Sequence, residues 1–329
     1  MRRSAATCTL LAAAALPAPA LAQVPAAPAP APAPAPAPVQ TQMTLQLERV
    51  GGTRSTILAG SRVRVRGAVG AFVPNETVTV RVSSNGRRVF VRRVSIQLGA
   101  DGTSGAFLLS YRATRIGRLV VRAVHDPTPA LGELVAVGRS VDVLPRRVAP
   151  ASARAAVRAL QRRLRRLGYV VGAPGAYDAR TARAVLAFRK VTGMRRTFAA
   201  SSPVMRAIAH GAGSFRIRRP AHGRHVEADL SRQVIALISG GRVERIYPIS
   251  SGAPSTPTIR GSFRVYSKTP GTNAKGMVDS AYFIGGYATH GYASVPPFPA
   301  SHGCLRVPIA DALGLFRWIQ IGTRVDVYL

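Results

Sequence analysis

The 329-residue sequence predicts a multidomain chain with a β-sandwich, a small three-helix bundle and a mostly-β domain that has one late helix. Three observations lead to this prediction. Apolar residues alternate with polar ones over 43–144, recur at helical spacing over 152–212, and return to strand-like runs over 223–329. Segments without either periodicity, at 23–42 and 145–151, separate these regions as linkers.

The first 22 residues have the pattern of a signal peptide. Met1-Arg2-Arg3 is basic, an apolar stretch of Ala and Leu follows, and Ala20-Leu21-Ala22 supplies small residues for cleavage. Pro17 and Pro19 interrupt the apolar run, which is shorter than the ~20 residues that a spanning helix needs. We therefore expect a protein secreted into the cell wall or periplasm, with an uncleaved anchor as the alternative.

Residues 23–42 form an Ala/Pro-rich linker. Alternating Ala and Pro favours extended polyproline conformations and cannot build a core. The segment is predicted to be a spacer.

The region 43–144 has the alternation expected of about seven short strands. Its apolar positions include Val63, Val65, Val78, Val80, Val82, Phe107, Leu109, Tyr111, Leu119, Val121, Val141 and Val143. The pattern resembles bacterial immunoglobulin-like (Ig-like) modules, although the Cys and Trp typical of antibody domains are absent. A spacer, a ligand-binding module and an inert sandwich are all open.

The region 152–212 predicts three short helices. Val157, Leu160, Leu164 and Leu167 share one helical face that ends at Gly168, Asp178 can cap a second helix, and Ser202-Pro203 can open a third. The ordered set resembles the peptidoglycan-binding domain of wall enzymes, with a generic bundle as the alternative. The residues that carry this resemblance are Ala159-Leu160-Gln161, Leu164, Leu167-Gly168-Tyr169, Tyr177-Asp178, Thr181, Ala184-Val185 and Phe188.

The last region, 223–329, reads as strands, a loop-rich stretch up to His290, a helix after Pro308 and a closing strand. Cys304 lies here within Ser301-His302-Gly303-Cys304-Leu305-Arg306, and cleavage after residue 22 would remove the other cysteine, Cys8. A lone thiol in an exported chain has no intramolecular disulfide partner. A reactive thiol needs a nearby base, and the residues alone leave His290 and His302 equally open. A zinc site formed by His290, His302 and Cys304 is a weaker alternative, because it lacks a carboxylate partner.

The same region resembles the catalytic domain of L,D-transpeptidases, the YkuD family. The matching motifs occur in family order: Asp229-Leu230-Ser231-Arg232-Gln233, Ser250-Ser251-Gly252, Thr256-Pro257-Thr258, Gly261-Ser262-Phe263, His290-Gly291 and the Cys304 motif. Ile259 and Tyr292 depart from the common pattern. The resemblance implies that Cys304 attacks the L-to-D peptide bond of a tetrapeptide stem and that His290 exchanges its proton, oriented by the Gly291 carbonyl.

The remaining site residues follow from their positions around this pair. The backbone amides of His302, Gly303 and Cys304 are suited to an oxyanion. Arg306 can fix a substrate carboxylate or form a structural salt bridge. Ser301 is expected to hydrogen-bond locally at the substrate-binding segment, and Tyr282 can line the cleft.

The resulting prediction is a cysteine-dependent L,D-transpeptidase that forms cell-wall cross-links. Hydrolysis of the same acyl-enzyme would make it an L,D-carboxypeptidase, and an inactive peptidoglycan-binding scaffold is the other alternative. Expected partners are peptidoglycan, carbapenems as covalent inhibitors and, given the net charge of +33, anionic wall polymers. We expect a monomer with no cofactor, no metal and no nucleic-acid partner.

Overall fold

The structure is a computed structural model that describes residues 37–49, 52–53 and 55–329. The predicted signal peptide and residues 23–36 of the predicted linker lie outside this part of the chain. The end of that linker already pairs with the first domain, since the Val39 amide donates to the Ala130 carbonyl at 2.9 Å. None of the helices in the described ranges is long and apolar enough to cross a membrane.

The N-terminal region consists of two sheets. One has the order β1-β4-β8-β7, and the other has the order β2-β3-β11-β9-β5-β6 with β10 added beside β9. The strands are β1 Met43–Arg49, β2 Gly52–Thr53, β3 Thr56–Leu58, β4 Ser61–Val69, β5 Thr77–Ser84, β6 Arg87–Ser95, β7 Gln97–Leu98, β8 Gly105–Ala113, β9 Gly117–His125, β10 Leu134–Val137 and β11 Val141–Leu144.

Strict alternation positions the core of this region. In β4, Val63, Val65 and Val69 are buried, whereas the arginines between them are exposed. Buried side chains from both sheets join one apolar cluster, which matches the period-two prediction. The Ig-like assignment itself stays a prediction.

Three helices follow: α1 Arg154–Arg166, α2 Ala179–Val191 and α3 Ser202–Ala209. Asp178 caps α2 as predicted, because its carboxylate accepts the Thr181 amide at 2.8 Å. The chain leaves α1 through Gly168, whose φ of +92° is a left-handed conformation that favours glycine.

The helices do not enclose a separate core. Leu160, Leu164 and Phe188 belong to one apolar cluster together with Val234 and Ile246 from the sheet that follows. The predicted bundle is therefore packed onto the C-terminal domain through shared apolar surface, a relationship that helical periodicity cannot reveal.

The C-terminal domain has two sheets, with orders β14-β13-β12-β20-β15 and β16-β17-β18-β19. Its elements are β12 His225–Asp229, β13 Val234–Ser239, β14 Arg242–Pro248, β15 Gly261–Arg264, β16 Ser267–Thr272, β17 Val278–Ile284, β18 Tyr287–Tyr292, β19 Leu305–Pro308, α4 Ile309–Trp318 and β20 Arg324–Tyr328. The helix after Pro308 and the closing strand are present as predicted.

One prediction for this domain is wrong. The stretch before His290 is not loop-rich, because β16, β17 and β18 form three of the four strands in the second sheet. Its exposed polar residues and glycines mask the strand alternation, and register shifts interrupt both β16–β17 and β17–β18 pairing. His290 consequently lies on a strand.

Candidate active site

The site is built on two neighbouring parallel strands. His290 in β18 pairs with Arg306 in β19, and Thr289 pairs with Leu305. Paired residues in a sheet project from the same face, so His290 and Arg306 share one face. Cys304 immediately precedes β19 and lies against the start of β18, where its thiol donates to the Gly286 carbonyl at 3.7 Å.

The environment of Cys304 favours the neutral thiol at rest. Burial raises the pKa of Cys304 above its ordinary value. A backbone hydrogen bond from Ala288 and the charges of Arg306 and Lys275 act in the opposite direction. These donors and charges are placed to stabilise negative charge on sulfur when it develops.

His290 is oriented by its neighbour. Its ring is only 2% exposed, and Nδ1 lies 2.9 Å from the Gly291 carbonyl. Because a carbonyl can only accept, Nδ1 carries a proton and Nε2 of the neutral ring is left as the acceptor. Burial lowers the pKa of His290, and Arg306 lowers it further against the effect of the Gly291 hydrogen bond.

Gly291 also has a packing role. A Cβ at this position would lie 2.6 Å from the Cβ of Ala312 in α4. The glycine therefore lets α4 approach the strand that carries His290, while its carbonyl holds the imidazole.

His302 does not share the surroundings of His290. Its side chain is exposed, and it makes no side-chain hydrogen bond within the described part of the chain. Of the two histidines left open by the residues alone, the structure gives only His290 a buried, oriented ring.

The amides after Ser301 are not equivalent. Gly303 N–H donates to Ser301 Oγ at 3.1 Å, whereas the amides of His302 and Cys304 have no acceptor among the described residues. Of the three amides predicted to bind an oxyanion, two are therefore free donors in this structure.

Gly303 has φ of +112°, and a Cβ there would lie 1.8 Å from Cε1 of Tyr287. Only glycine fits this turn without strain.

Ser301 is buried and makes local contacts, as its position suggested. Its hydroxyl donates to the Cys304 carbonyl at 2.6 Å, and its own carbonyl accepts from the Ala253 amide and the Thr256 hydroxyl. The serine, glycine and threonine motifs at 250–258 therefore brace the segment that carries the thiol. At Gly252, a Cβ would lie 2.3 Å from the Thr256 carbonyl oxygen.

Arg306 has no carboxylate partner in the described ranges, so the structural salt bridge proposed for it is not seen there. Its Nη1 donates to the Ala300 carbonyl at 3.2 Å, and its buried Nε has no hydrogen-bond partner. The guanidinium stacks over Tyr292, which also meets His290 edge-on at 5.7 Å between ring centroids. Sequence reasoning did not select Tyr292, although its position two residues after His290 on a strand would have placed it on the same face.

Tyr282 is half-buried and stacks near Tyr266, with 6.4 Å between centroids. It pairs with Ala288 across β17–β18, so it projects from the face that carries His290.

Within the described residues, no group of three His, Cys, Asp or Glu side chains is arranged to hold a metal ion. His290, His302 and Cys304 therefore do not form the zinc site considered as an alternative.

Family models match two parts of this chain. The peptidoglycan-binding domain model matches residues 153–197, which include α1 and α2, and the YkuD L,D-transpeptidase catalytic domain model matches residues 223–327. These matches define a class of cell-wall enzymes. The chain carries a YkuD-type L,D-transpeptidase catalytic domain preceded by a peptidoglycan-binding domain. Both matches lie outside 43–144.

Several of the solved structures that are similar to this chain are L,D-transpeptidases. One from Xylanimonas cellulosilytica is 36% identical, with coverage of 52% of this chain and 92% of that chain and a TM-score of 0.48. The Enterococcus faecium enzyme, as a C442S mutant, is 27% identical over 32% of this chain and 50% of its own, with a TM-score of 0.29. The E. faecium catalytic domain acylated by ertapenem is also 27% identical, over 32% and 97%, with a TM-score of 0.28. A search of curated proteins found no match.

Proposed function

We propose that this protein is a secreted L,D-transpeptidase that cross-links peptidoglycan through an acyl-enzyme on Cys304. The observation that carries the proposal is the pairing of β18 with β19: the oriented imidazole of His290 shares one sheet face with Arg306, and the Cys304 sulfur accepts a hydrogen bond from the Ala288 amide, two residues before His290. The basic and apolar pattern of residues 1–22 supports export to the wall or periplasm.

In the first half-reaction, Nε2 of His290 takes the thiol proton while Cys304 Sγ attacks the carbonyl of the third stem residue. The new S–C bond moves the carbonyl electrons onto oxygen, and the free amides of His302 and Cys304 are positioned to stabilise that oxyanion. Collapse breaks the C–N bond to D-alanine, and imidazolium returns the proton to the departing amine. A thioester remains on Cys304.

In the second half-reaction, an acceptor amine attacks the thioester. His290 accepts the amine proton, the C–S bond breaks, and the thiol is restored. Water in place of the amine gives a tripeptide, which is the L,D-carboxypeptidase alternative. The two outcomes share every residue of the first half-reaction and differ only in the acceptor.

The other domains supply binding. We infer that the helical domain holds glycan and that the N-terminal sandwich and its Ala/Pro linker set the reach of the enzyme. The outward faces of both sandwich sheets favour anionic wall polymers. They present exposed arginines at Arg62, Arg64, Arg66, Arg81, Arg93, Arg112, Arg118 and Arg122.

Mass spectrometry of muropeptides tests the proposed reaction. The chain from Gln23 onward, or its Cys304→Ala variant, is mixed with a disaccharide-tetrapeptide. We expect a dimer lacking one D-alanine only when Cys304 is present. Tripeptide alone would establish the carboxypeptidase alternative, and unchanged donor would contradict both enzymatic forms.

Covalent labelling distinguishes an enzyme from an inactive scaffold. Carbapenems offer a strained acyl group to an activated nucleophile, so we expect the intact mass of the folded protein to rise by one inhibitor at Cys304. His302→Ala should still be labelled, whereas His290→Ala should react far more slowly. Failure of the folded wild-type protein to label would favour the scaffold.

A further inference from the structure

Lys190 is a buried lysine on the helical domain that contacts the catalytic domain. It lies in the last turn of α2 and is 3% exposed. Its Nζ donates to the Gln233 carbonyl at 3.0 Å and to the Ile249 carbonyl at 2.9 Å. A lysine at a helix C-terminus ordinarily keeps its ammonium group in water. Burying it costs desolvation free energy, which the hydrogen bonds to the two carbonyls offset. Burial, with the charges of Arg196 and Arg183, lowers the pKa of Lys190 to about 7.

The two carbonyls belong to residues that hold the active-site segment. Gln233 has φ of +58°, and its side chain makes a reciprocal pair with Ser251: Nε2 donates to Ser251 Oγ at 2.6 Å, and Oε1 accepts the Ser251 amide at 3.0 Å. The Gln233 carbonyl also accepts the Ile249 amide at 3.0 Å. Lys190 therefore contacts Gln233 itself and Ile249, which lies two residues before Ser251.

From Ser251 the contacts continue to the backbone of Cys304. The Ser251 carbonyl accepts the amides of Ala300 and Ser301, each at 2.9 Å, and Ser301 Oγ donates to the Cys304 carbonyl. A second route runs through Ile249 to its neighbour Ser250, whose amide and carbonyl exchange hydrogen bonds with Arg306 at 3.1 and 3.0 Å. Gln233, Ser250, Ser251 and Ser301 are all nearly inaccessible to solvent.

Other polar contacts of the helical domain converge on the same part of the catalytic domain. Arg183 donates to the Val295 carbonyl and Arg196 to the Pro297 carbonyl, both at 3.3 Å. These carbonyls lie in the segment between β18 and Ser301. The helical domain is therefore attached to the segment between β18 and Ser301 by partly buried polar contacts as well as by the shared apolar cluster.

We propose that Lys190 is a positioning residue for the transpeptidase reaction, through which the helical domain sets the geometry of the Ser250–Ser251 and Ser301–Cys304 segments. The inference rests on the proposed function of Cys304. The helical domain then has a role in the chemistry in addition to binding. Without α2, the segment that carries Cys304 loses the hydrogen bonds that hold it in position. A 1 Å misplacement of reacting groups can cost a large factor in rate.

The test compares Lys190→Met with a matched control, Lys268→Met. Lys268 also donates to two backbone carbonyls, those of Phe316 and Ile319 at 2.8 and 2.6 Å, and burial lowers its pKa as well. Those carbonyls lie at the end of α4, outside the contacts that lead to Cys304. Both variants lose an amino group that donates two hydrogen bonds, and Lys268→Met also loses the contact with the Phe316 ring. Only Lys190→Met loses the contacts that lead to the backbone of Cys304.

We expect Lys190→Met to lower kcat for the muropeptide donor by at least about ten-fold with KM nearly unchanged. Hydrogen exchange followed by mass spectrometry should show faster exchange at 249–252 and 300–306. Lys268→Met should leave both readouts close to wild type. Equal effects of the two variants, or a loss of kcat that only follows the folded fraction, would overturn the inference.

Two further measurements cover the cases in which Lys190→Met does not fold or the wild-type protein does not acylate. If Lys190→Met does not fold, Gln233→Asn shortens the side chain that reaches Ser251 while preserving the carbonyl that Lys190 contacts, and asparagine tolerates the left-handed conformation. The same loss of kcat and the same faster exchange at 300–306 are expected, and wild-type behaviour of this variant would contradict the inference. If the wild-type protein itself does not acylate, the proposed function fails, and the exchange measurement alone decides whether Lys190 positions the segment.

Discussion

The guanidinium of Arg306 lies 4.1 Å from the centroid of the Tyr292 ring, on the face of the sheet that also carries His290. Stacking on the aromatic ring holds the planar group in place, and its buried Nε still lacks a partner within the described residues. A guanidinium that is fixed but not neutralised is suited to a carboxylate ligand. This arrangement favours the substrate-binding alternative for Arg306 over the structural one.

Replacement of Arg306 by lysine should separate charge from shape. Lysine keeps the positive charge but loses the planar fork and the stacking contact, so KM for a stem peptide with a free terminal carboxylate should rise by about ten-fold or more. Steady-state kinetics would measure this, with Arg317→Lys on the exposed side of α4 as the control. An equal effect on a donor with an amidated terminus would show that Arg306 does not contact that carboxylate.

The pH dependence of the reaction should reflect a neutral thiol and a neutral imidazole. Burial raises the pKa of Cys304 and lowers that of His290, so the base gains its free Nε2 as pH rises through a value below 6.5. We expect kcat/KM to rise with pH through a midpoint below 6.5 and to stay high at neutral pH.

Two variants identify the histidine that produces this pH profile. His302→Ala should keep the shape of the profile, because that ring is exposed, whereas His290→Ala should lose the rise along with most of the activity. A profile that falls again towards neutral and alkaline pH, as an imidazolium loses its proton, would instead indicate a preformed thiolate–imidazolium pair of the kind found in some cysteine proteases.

Gly303→Ala should cost about 2 kcal/mol or more of unfolding free energy and most of the activity, because φ of +112° and the Tyr287 ring both exclude a Cβ. Urea denaturation would measure the first effect. The double variant Gly303→Ala/Tyr287→Ala removes the steric contact but not the backbone strain, so Gly303→Ala should remain destabilising in that background. Gly286→Ala, where a Cβ would meet no atom within 4 Å, is the control. A Gly303→Ala protein as stable and active as that control would contradict the assigned role of the turn.

Sequence patterns predicted the parts of this fold that depend on local periodicity. The alternating valines of β4 and the Asp178 cap of α2 are examples, because each depends on residues within a few positions of one another. The strands before His290 were missed, since glycines and register shifts obscure their alternation. The contacts of Lys190 and Tyr292 could not be found from helical spacing or motif order, because each joins residues through packing between elements.

The ion pair between α2 and α4 gives a prediction about the stability of the domain contact. Arg180 Nε donates to Asp311 Oδ1 at 2.6 Å, and the Asp311 side chain is only 3% exposed. Burial raises the pKa of Asp311, against the lowering effect of Arg180. Removing the guanidinium by Arg180→Ala would leave a buried carboxylate whose charged form has lost its partner.

The loss of stability in Arg180→Ala should therefore depend on pH. An acid whose folded pKa is raised favours the protonated folded state, and this contribution is lost as pH rises through the folded pKa. Without Arg180 the pKa of Asp311 rises further, so the variant should lose about 1–2 kcal/mol at neutral pH and less at about pH 4, where Asp311 can be neutral. Chemical denaturation at both pH values, with the exposed Arg206→Ala as control, measures the difference. An equal loss at both pH values would mean that the arginine stabilises the contact by packing and by its bond to the Ala310 carbonyl, and that the charge of Asp311 does not determine how firmly α2 is held on the catalytic domain.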